Sequence, residues 1–251
     1  MPHAGHAATC DAVRSCKCLA SANPPACAYA REGLWQVRRV LLVETFAAGP
    51  LQCNCSIVAC ADTKDAVVVD PGGAIERIAE IVAYYDLTVR AILHTHAHLD
   101  HIYCTHDVKH AHGGEICLHR DDTFLYDGFE MQCAMFGLPL RNVSPIDRFV
   151  EHGDKIALGK HGLDVIHTPG HTPGSICFEI TDGARTIVFA GDTLFRRSIG
   201  RTDLPGGDAG ALQRSIRERL YTRDLDAIVV PGHGPSTRLG EEAKNNPFVR
   251  A

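Results

Sequence analysis

The sequence reads Ala91-Ile92-Leu93-His94-Thr95-His96-Ala97-His98-Leu99-Asp100-His101 over residues 91–101. A short apolar run thus leads directly into a segment dense in histidine. In an extended backbone alternate side chains point to one side, so His96 and His98 would present their rings together. Asp100 would join them if the extension persists, whereas His101 would turn toward a neighbouring point as a helix begins. Imidazole and carboxylate ligands suit zinc, iron or manganese, and this arrangement could serve two adjacent metal ions.

Three further polar groups follow apolar runs in the same way. Val165-Ile166 leads to His171, Ile187-Val188-Phe189-Ala190 leads to Asp192, and Ile228-Val229-Val230 leads to His233. In layered α/β proteins the strand ends are where rigid elements pass into functional loops. Glycine and proline stand beside each candidate ligand and allow the backbone to approach closely. The four groups together predict a functional edge of the fold.

The ordered motifs resemble those of the metallo-β-lactamase superfamily, and the resemblance runs from about Trp35 to Pro247. Within that superfamily four segments are similar to those of the short glyoxalase II-like hydrolases: 168–175 (TPGHTPGS), 191–195 (GDTLF), 200–208 (GRTDLPGGD) and 231–235 (PGHGP). The resemblance implies an α/β fold, a four-layer αββα sandwich in a single domain, with two divalent metal ions in a cleft at its edge. Zinc is the expected metal, with iron or manganese as alternatives.

The resemblance also assigns roles to individual residues. One metal ion would be held by His96, His98 and His171, and the other by Asp100, His101 and His233. Asp192 would bridge both ions opposite a shared water or hydroxide, and Asp100 would count among the catalytic residues. Asp70, in the segment Val67-Val68-Val69-Asp70, resembles the supporting carboxylate behind the His-x-His pair.

The expected reaction is hydrolysis of a glutathione thioester such as S-lactoylglutathione. A thiolate leaves readily because its conjugate acid has a pKa near 8.5, so an obvious general acid is not required. Only 18 residues follow His233, whereas the long form of glyoxalase II adds a helical domain that contacts glutathione. The acyl group and the thiol carrier therefore stay open. The alternatives are a mononuclear iron persulfide dioxygenase, a lactonase of the same fold, and a non-enzymatic metal-storage protein that uses the histidines of 94–119.

The composition sets wider bounds. The chain of 251 residues carries a net charge of −5 at pH 7 and 45% hydrophobic residues, and no apolar run approaches 18 residues. These values argue against a nucleic-acid partner and a membrane span. The expected partner is a small-molecule thioester, and the oligomeric state is open. Eleven irregularly spaced cysteines and a start without a basic, apolar leader favour a cytoplasmic protein with free thiols.

The chain divides into two parts of different composition. Residues 1–34 show no periodicity and are expected to be a disordered, cysteine-rich extension, while 35–251 form the hydrolase domain. A zinc site from Cys10, Cys16, Cys18 and Cys27 has no usual finger spacing. Apolar runs predict strands at 37–46, 56–61, 66–70, 89–94, 115–119, 156–158, 163–167, 176–180, 186–189 and 227–230. Helical spacing predicts helices at 75–85, 101–112, 121–136, 209–220 and 241–244.

Several other polar residues allow two interpretations. Arg201 could hold a substrate carboxylate with Asp203 beside it, or the two could form an ion pair that braces the loop 198–208. His106 and His110 could chelate a metal on a helix face, but a solvated face is favoured. His167 could lie near the metals or in the core. Structural or surface positions are expected for His94, His112 and His119, and Cys53 and Cys55 are expected to pack as small hydrophobes.

Overall fold

The computed structural model describes residues 40–183 and 185–251. The predicted extension 1–34 with its four cysteines, and the first residues of the strand predicted at 37–46, lie outside the described residues. The described chain contains two six-stranded sheets and a two-stranded ribbon.

The first sheet comes from the N-terminal half of the described chain, and its spatial order follows the sequence. It contains β1 (Leu41–Ala48), β2 (Cys53–Cys60), β3 (Asp65–Val69), β4 (Thr88–Leu93), β5 (Glu115–Leu118) and β6 (Arg148–Phe149). The strands β1 to β3 are antiparallel, and β3 to β6 are parallel. Successive side chains of a strand point to opposite faces of the sheet. Val67 and Val69 therefore lie in the core between the sheets, while Val68 and Ile92 face outward. The outward face is covered by helices α1 (Ile75–Tyr85) and α3 (Thr105–His112), with α2 (Leu99–Ile102) between them in sequence.

The second sheet is built by the C-terminal half. Its strands are β7 (Lys155–Leu158), β8 (His161–His167), β9 (Ile176–Thr181), β10 (Thr186–Gly191), β13 (Ile228–Pro231) and β14 (Thr237–Arg238), while β11 (Leu194–Phe195) and β12 (Ser198–Ile199) form the separate ribbon. The spatial order is β14-β13-β10-β9-β8-β7, and only β10 and β13 are parallel among these pairs. Phe178 and Phe189 fill the core between the sheets. Leu212, from helix α6 (Ala209–Ser215), packs on the outer face with Leu239 from α7 (Leu239–Asn245).

The order of layers is therefore helices, sheet, sheet, helices, which confirms the predicted αββα sandwich. Helices α4 (Thr123–Asp127) and α5 (Phe129–Phe136) form a further buried apolar cluster with Leu99, Ile102 and Leu118. This cluster lies beside the segment that follows β4, so it supports the histidine-rich loop from one side.

Several predicted element boundaries were wrong for identifiable reasons. The helix predicted at 101–112 is two helices, because the amide of Cys104 donates to the carbonyl of Pro71 instead of continuing the first helix. The helix predicted at 121–136 is interrupted at Gly128, and the one predicted at 209–220 ends as an α-helix at Ser215 and continues as a π-helical turn over Ile216–Leu220. Four two-residue strands were missed because they are too short to show alternation: β6, β11, β12 and β14.

Candidate metal centre

Every candidate ligand lies at or just beyond the carboxyl end of a strand. His96 and His98 follow β4, His171 follows β8, Asp192 follows β10, and His233 follows β13. Three of the ligand groups thus come from the second sheet and the rest from the first, and they meet at one edge of the sandwich. The structure thus brings the candidate ligands together at one edge of the sandwich.

The first cluster contains His96, His98 and His171. The Nε2 atom of His171 lies 2.9 Å from Nδ1 of His98 and 3.2 Å from Nε2 of His96. The Nδ1 atom of His171 lies 2.7 Å from the carbonyl oxygen of Arg201. Because a carbonyl only accepts, that nitrogen carries the proton, and Nε2 presents its lone pair to the cluster.

The second cluster contains Asp100, His101 and His233. An oxygen of Asp100, Oδ2, lies 3.0 Å from Nε2 of His233 and 3.7 Å from Nε2 of His101. The extended backbone that would align Asp100 with His96 and His98 does not persist, since helix α2 begins at Leu99. Asp100 is therefore grouped with His101 and His233, as the family resemblance implied.

Asp192 lies between the two clusters. Its Oδ2 is 3.6 Å from Nε2 of His171, and its Oδ1 is 3.5 Å from Nε2 of His101. Each carboxylate oxygen thus faces one cluster. Gly232 permits this position, because a Cβ atom there would lie 2.1 Å from Asp192 Oδ1.

The donor atoms fit divalent metal ions. Nε2 of His101 and Oδ1 of Asp192 are buried and make no hydrogen bond among the described residues, a costly state for polar atoms that a cation would relieve. Burial lowers the pKa of His98 to about 3 and also lowers the pKa values of His96 and His171, which keeps these imidazoles in the neutral form that binds metals. The fold therefore provides a binuclear metal-binding site with nitrogen and oxygen ligands.

Asp70 supports this site from behind. Its oxygens accept hydrogen bonds from the amide (2.8 Å) and the hydroxyl (2.6 Å) of Thr95, and its Oδ2 lies 3.0 Å from Nδ1 of His101. Asp70 therefore contacts His101 directly and reaches His96 of the His-x-His pair only through Thr95, whose hydroxyl is 3.2 Å from Nδ1 of that ring. Cys53 adds its sulfur 3.4 Å from the same nitrogen of His101, and burial raises the pKa of this thiol to about 12.

Three supporting residues escaped the sequence analysis. Asn54 binds the His233 loop, because its side chain donates to the carbonyls of Pro231 and Gly234, at 2.9 Å each. Gln132 on α5 accepts from the amide of Leu99 and donates to the carbonyl of Ala97. Buried Asp122 accepts hydrogen bonds from Ala97, in the loop of His96 and His98, and from Thr172, in the loop of His171. The partners of these three side chains are mostly backbone groups, so the contacts leave no motif in the sequence.

The residues proposed for substrate binding contact each other. Arg201 and Asp203 form a two-pronged ion pair with both distances 2.7 Å, and more than half of each side chain is exposed. A structural role for Arg201 is clear only for its backbone, whose carbonyl orients His171. A role of either side chain toward a substrate stays a proposal.

The other histidines among the described residues lie outside the two clusters. The rings of His119 and His167 stack with centroids 4.1 Å apart and, with Asp121, form a third group of potential ligands. His106 Nδ1 lies 2.9 Å from the hydroxyl of Ser144, and its ring is 6.1 Å from that of His110.

Buried His94 makes the stability of the protein sensitive to acid. The hydroxyl of Thr105 donates to the carbonyl of Ile102, so Nε2 of His94 donates to the oxygen of that hydroxyl. Nδ1 of His94 has no hydrogen-bond partner among the residues that the structure describes. Burial lowers the pKa of His94 to about 4. Since the folded state resists protonation, the contribution of His94 is complete above pH 6.5 and is lost as the pH falls toward 4, by about 3 kcal/mol.

A His94→Gln variant tests this expectation, because glutamine can still donate to Thr105 and does not titrate. We expect urea unfolding of the metal-free variant to show a smaller loss of stability between pH 7 and pH 4.5 than the wild type. Parallel pH curves for the two proteins would contradict it.

Among the described residues, none of the helices combines the length and hydropathy that a bilayer crossing requires.

Comparison with known proteins identifies clear relatives. A profile described as the metallo-beta-lactamase superfamily matches residues 48–233. An uncharacterised protein of Mycobacterium tuberculosis is 40% identical over 83% of this chain and 98% of its own length. The hydroxyacylglutathione hydrolase GloC of Haemophilus influenzae is 37% identical over 83% of this chain and 98% of its own.

Solved structures agree with these matches. The crystal structure of the B3 metallo-beta-lactamase BLEG-1 is similar with a TM-score of 0.77 and 34% identity, covering 84% of this chain and all (100%) of the other. The structure of TTHA1623 in a di-iron-bound form gives a TM-score of 0.73 and 37% identity, covering 82% and 100%. These relatives share the fold and differ in the activity or metal that their names state.

Proposed function

Because the chain belongs to the metallo-β-lactamase superfamily, we propose that it is a binuclear metal-dependent hydrolase of a glutathione thioester such as S-lactoylglutathione. The observation that carries this proposal is the position of Asp192, with one carboxylate oxygen toward each ligand cluster. The similarity to GloC supports a hydroxyacylglutathione as the substrate. Zinc is the proposed metal, and the di-iron form of a relative keeps iron as the alternative.

The chain's own residues would prepare this centre for hydrolysis. When bound, two divalent ions would supply Lewis acidity for a thioester carbonyl and lower the pKa of a water molecule at the site. Asp70 holds a proton at Nδ1 of His101, and the Arg201 carbonyl holds one at Nδ1 of His171, so both rings keep Nε2 free as a ligand atom. A thiolate leaving group needs little protonation, in accord with the lack of an assigned general acid.

The ligand set favours this reaction over the mononuclear dioxygenase. A single iron held by two histidines and one aspartate would leave the second group of potential ligands without a metal ion. Asp100 and His233 approach to 3.0 Å with His101 beside them, which favours two ions. In Arg201 we propose a contact for a carboxylate of the substrate, formed when its exposed ion pair with Asp203 opens.

The proposal is tested by metal analysis of the purified protein together with activity assays on four substrates. These substrates are S-lactoylglutathione, a lactone, a β-lactam and glutathione persulfide. We expect about two metal ions per chain and hydrolysis of S-lactoylglutathione that exceeds cleavage of a lactone or a β-lactam. His171→Ala should lower kcat/KM by more than about 100-fold and reduce the metal content. Loss of a direct metal ligand should weaken activity more than loss of a residue that only orients a ligand, which costs about 10–100-fold.

The matched control is His110→Ala, an exposed histidine on α3, which should keep full activity. Undiminished turnover in His171→Ala would refute the proposal. One iron per chain together with oxygen uptake on glutathione persulfide would assign the dioxygenase activity instead.

A further inference from the structure

Asp122 is a buried carboxylate that the proposed mechanism does not use. Its Oδ2 accepts hydrogen bonds from the amide of Ala97 (3.0 Å) and the hydroxyl of Thr172 (2.8 Å), and its Oδ1 accepts from the amide of Gly174 (2.6 Å). The residue is fully buried. Burying a carboxylate is costly, and three donors converging on one group offset that cost only if they are held in place.

The three donors belong to two separate loops. Ala97 stands between His96 and His98, and Thr172 directly follows His171. The loop after β4 belongs to the first sheet and the loop after β8 to the second. Asp122 therefore ties together the two loops that supply the first ligand cluster.

The fit around Asp122 is close. A Cβ atom at Gly174 would lie 2.7 Å from the carboxyl carbon and from Oδ1 of Asp122, so only glycine lets its amide approach. The hydroxyl of Thr172 also lies 2.7 Å from the hydroxyl of Ser175, which fixes its orientation. The Asp122 contacts thus constrain both loops.

The second ligand cluster has a different support. Its member His101 contacts Asp70, whose other donors come from Thr95. Asp122 makes no hydrogen bond to Asp100, His101 or His233 in the described structure.

We propose that Asp122 is a positioning residue that sets the distance between the His-x-His loop and the His171 loop, and so controls the metal affinity of the first cluster alone. This inference rests on the proposed function only through its metal centre, and not on the substrate. Removing a group that orients a ligand typically weakens metal binding by about 10–100-fold. The expected consequence is two metal positions whose affinities can be changed independently.

The test measures zinc affinity of metal-free protein by competition with a chelator in two backgrounds. His233→Ala weakens the second cluster and leaves the first complete, whereas His171→Ala does the reverse. Adding Asp122→Asn should lower zinc affinity by about 10–100-fold in the His233→Ala background and leave it unchanged in the His171→Ala background. Adding Asp70→Asn should lower the affinity in the His171→Ala background, where Asp122→Asn has no effect.

Asp127→Asn is the matched control, because this aspartate at the end of α4 is exposed and should alter neither affinity. If Asp122→Asn fails to fold by circular dichroism, Thr172→Val decides, since it removes one donor while keeping the shape, and should weaken only the first cluster. Equal effects of Asp122→Asn in both backgrounds, or no effect in either, would overturn the inference. A wild-type protein that binds no zinc or iron would overturn the proposed function as well.

Discussion

Asp192→Asn is expected to keep the fold and to lose most of the catalytic activity, with weaker binding of both metal ions. Within the described part of the chain, its carboxylate faces both ligand clusters, with Oδ2 at 3.6 Å from Nε2 of His171 and Oδ1 at 3.5 Å from Nε2 of His101. An amide has one oxygen and no charge, so neither ion would keep its shared anionic ligand. The decrease in kcat/KM should exceed about 100-fold, which is the largest effect typical of removing a residue that only orients a metal ligand.

Elemental analysis after dialysis against a weak chelator and the thioester assay would measure this effect. Asp127→Asn is the matched control, since this aspartate is exposed at the end of α4. Retention of two tightly bound ions and of normal turnover in Asp192→Asn would show that the carboxylate does not bridge the clusters.

Gly72→Ala is expected to lower the free energy of unfolding by about 3 kcal/mol or more. A Cβ atom at Gly72 would lie 1.5 Å from the backbone oxygen of Asp100 and 2.6 Å from its carbonyl carbon. Backbone cannot rotate away as a flexible side chain can, so the loop after β3 and the helix α2 must separate. The same displacement would move Asp100 and His101, so metal binding should weaken too.

Gly162→Ala provides the comparison, because its Cβ would meet only the oxygen of Ile156, at an ordinary 3.7 Å. That variant should change the free energy of unfolding in urea by less than about 1 kcal/mol. Equal unfolding midpoints and slopes for Gly72→Ala and the wild type would contradict the predicted collision.

The layered fold and the convergence of the candidate ligands at one edge were accessible from the sequence, because both leave local signals. Apolar runs of strand length predict the sheets, and histidines placed directly after such runs predict where the strand ends meet. The break between α2 and α3 was not accessible, because the amide of Cys104 bonds to Pro71, which is far along the chain. Local spacing carries no information about such a partner.

The supports of the site were hidden for a related reason. Asp122 and Gln132 bind mainly backbone amides and carbonyls, which every residue possesses, so their partners show no characteristic residue type. The grouping of Asp100 depended on where helix α2 begins, and a shift of one residue in that boundary changes which ligands it meets. The family resemblance implied the grouping that the structure shows in space, whereas spacing alone did not.

The division of the ligands between the two sheets has a consequence for folding. Each half of the sandwich contributes an incomplete ligand set, so metal bound at the shared edge would cross-link the halves in addition to serving chemistry. A ligand that binds only the native state at 100 times its Kd adds about 2.7 kcal/mol to stability. Removal of the metal by a chelator should therefore weaken the packing between the two sheets before either sheet unfolds. Proteolysis of the metal-free protein should begin in the ligand-bearing loops at the shared edge of the sandwich.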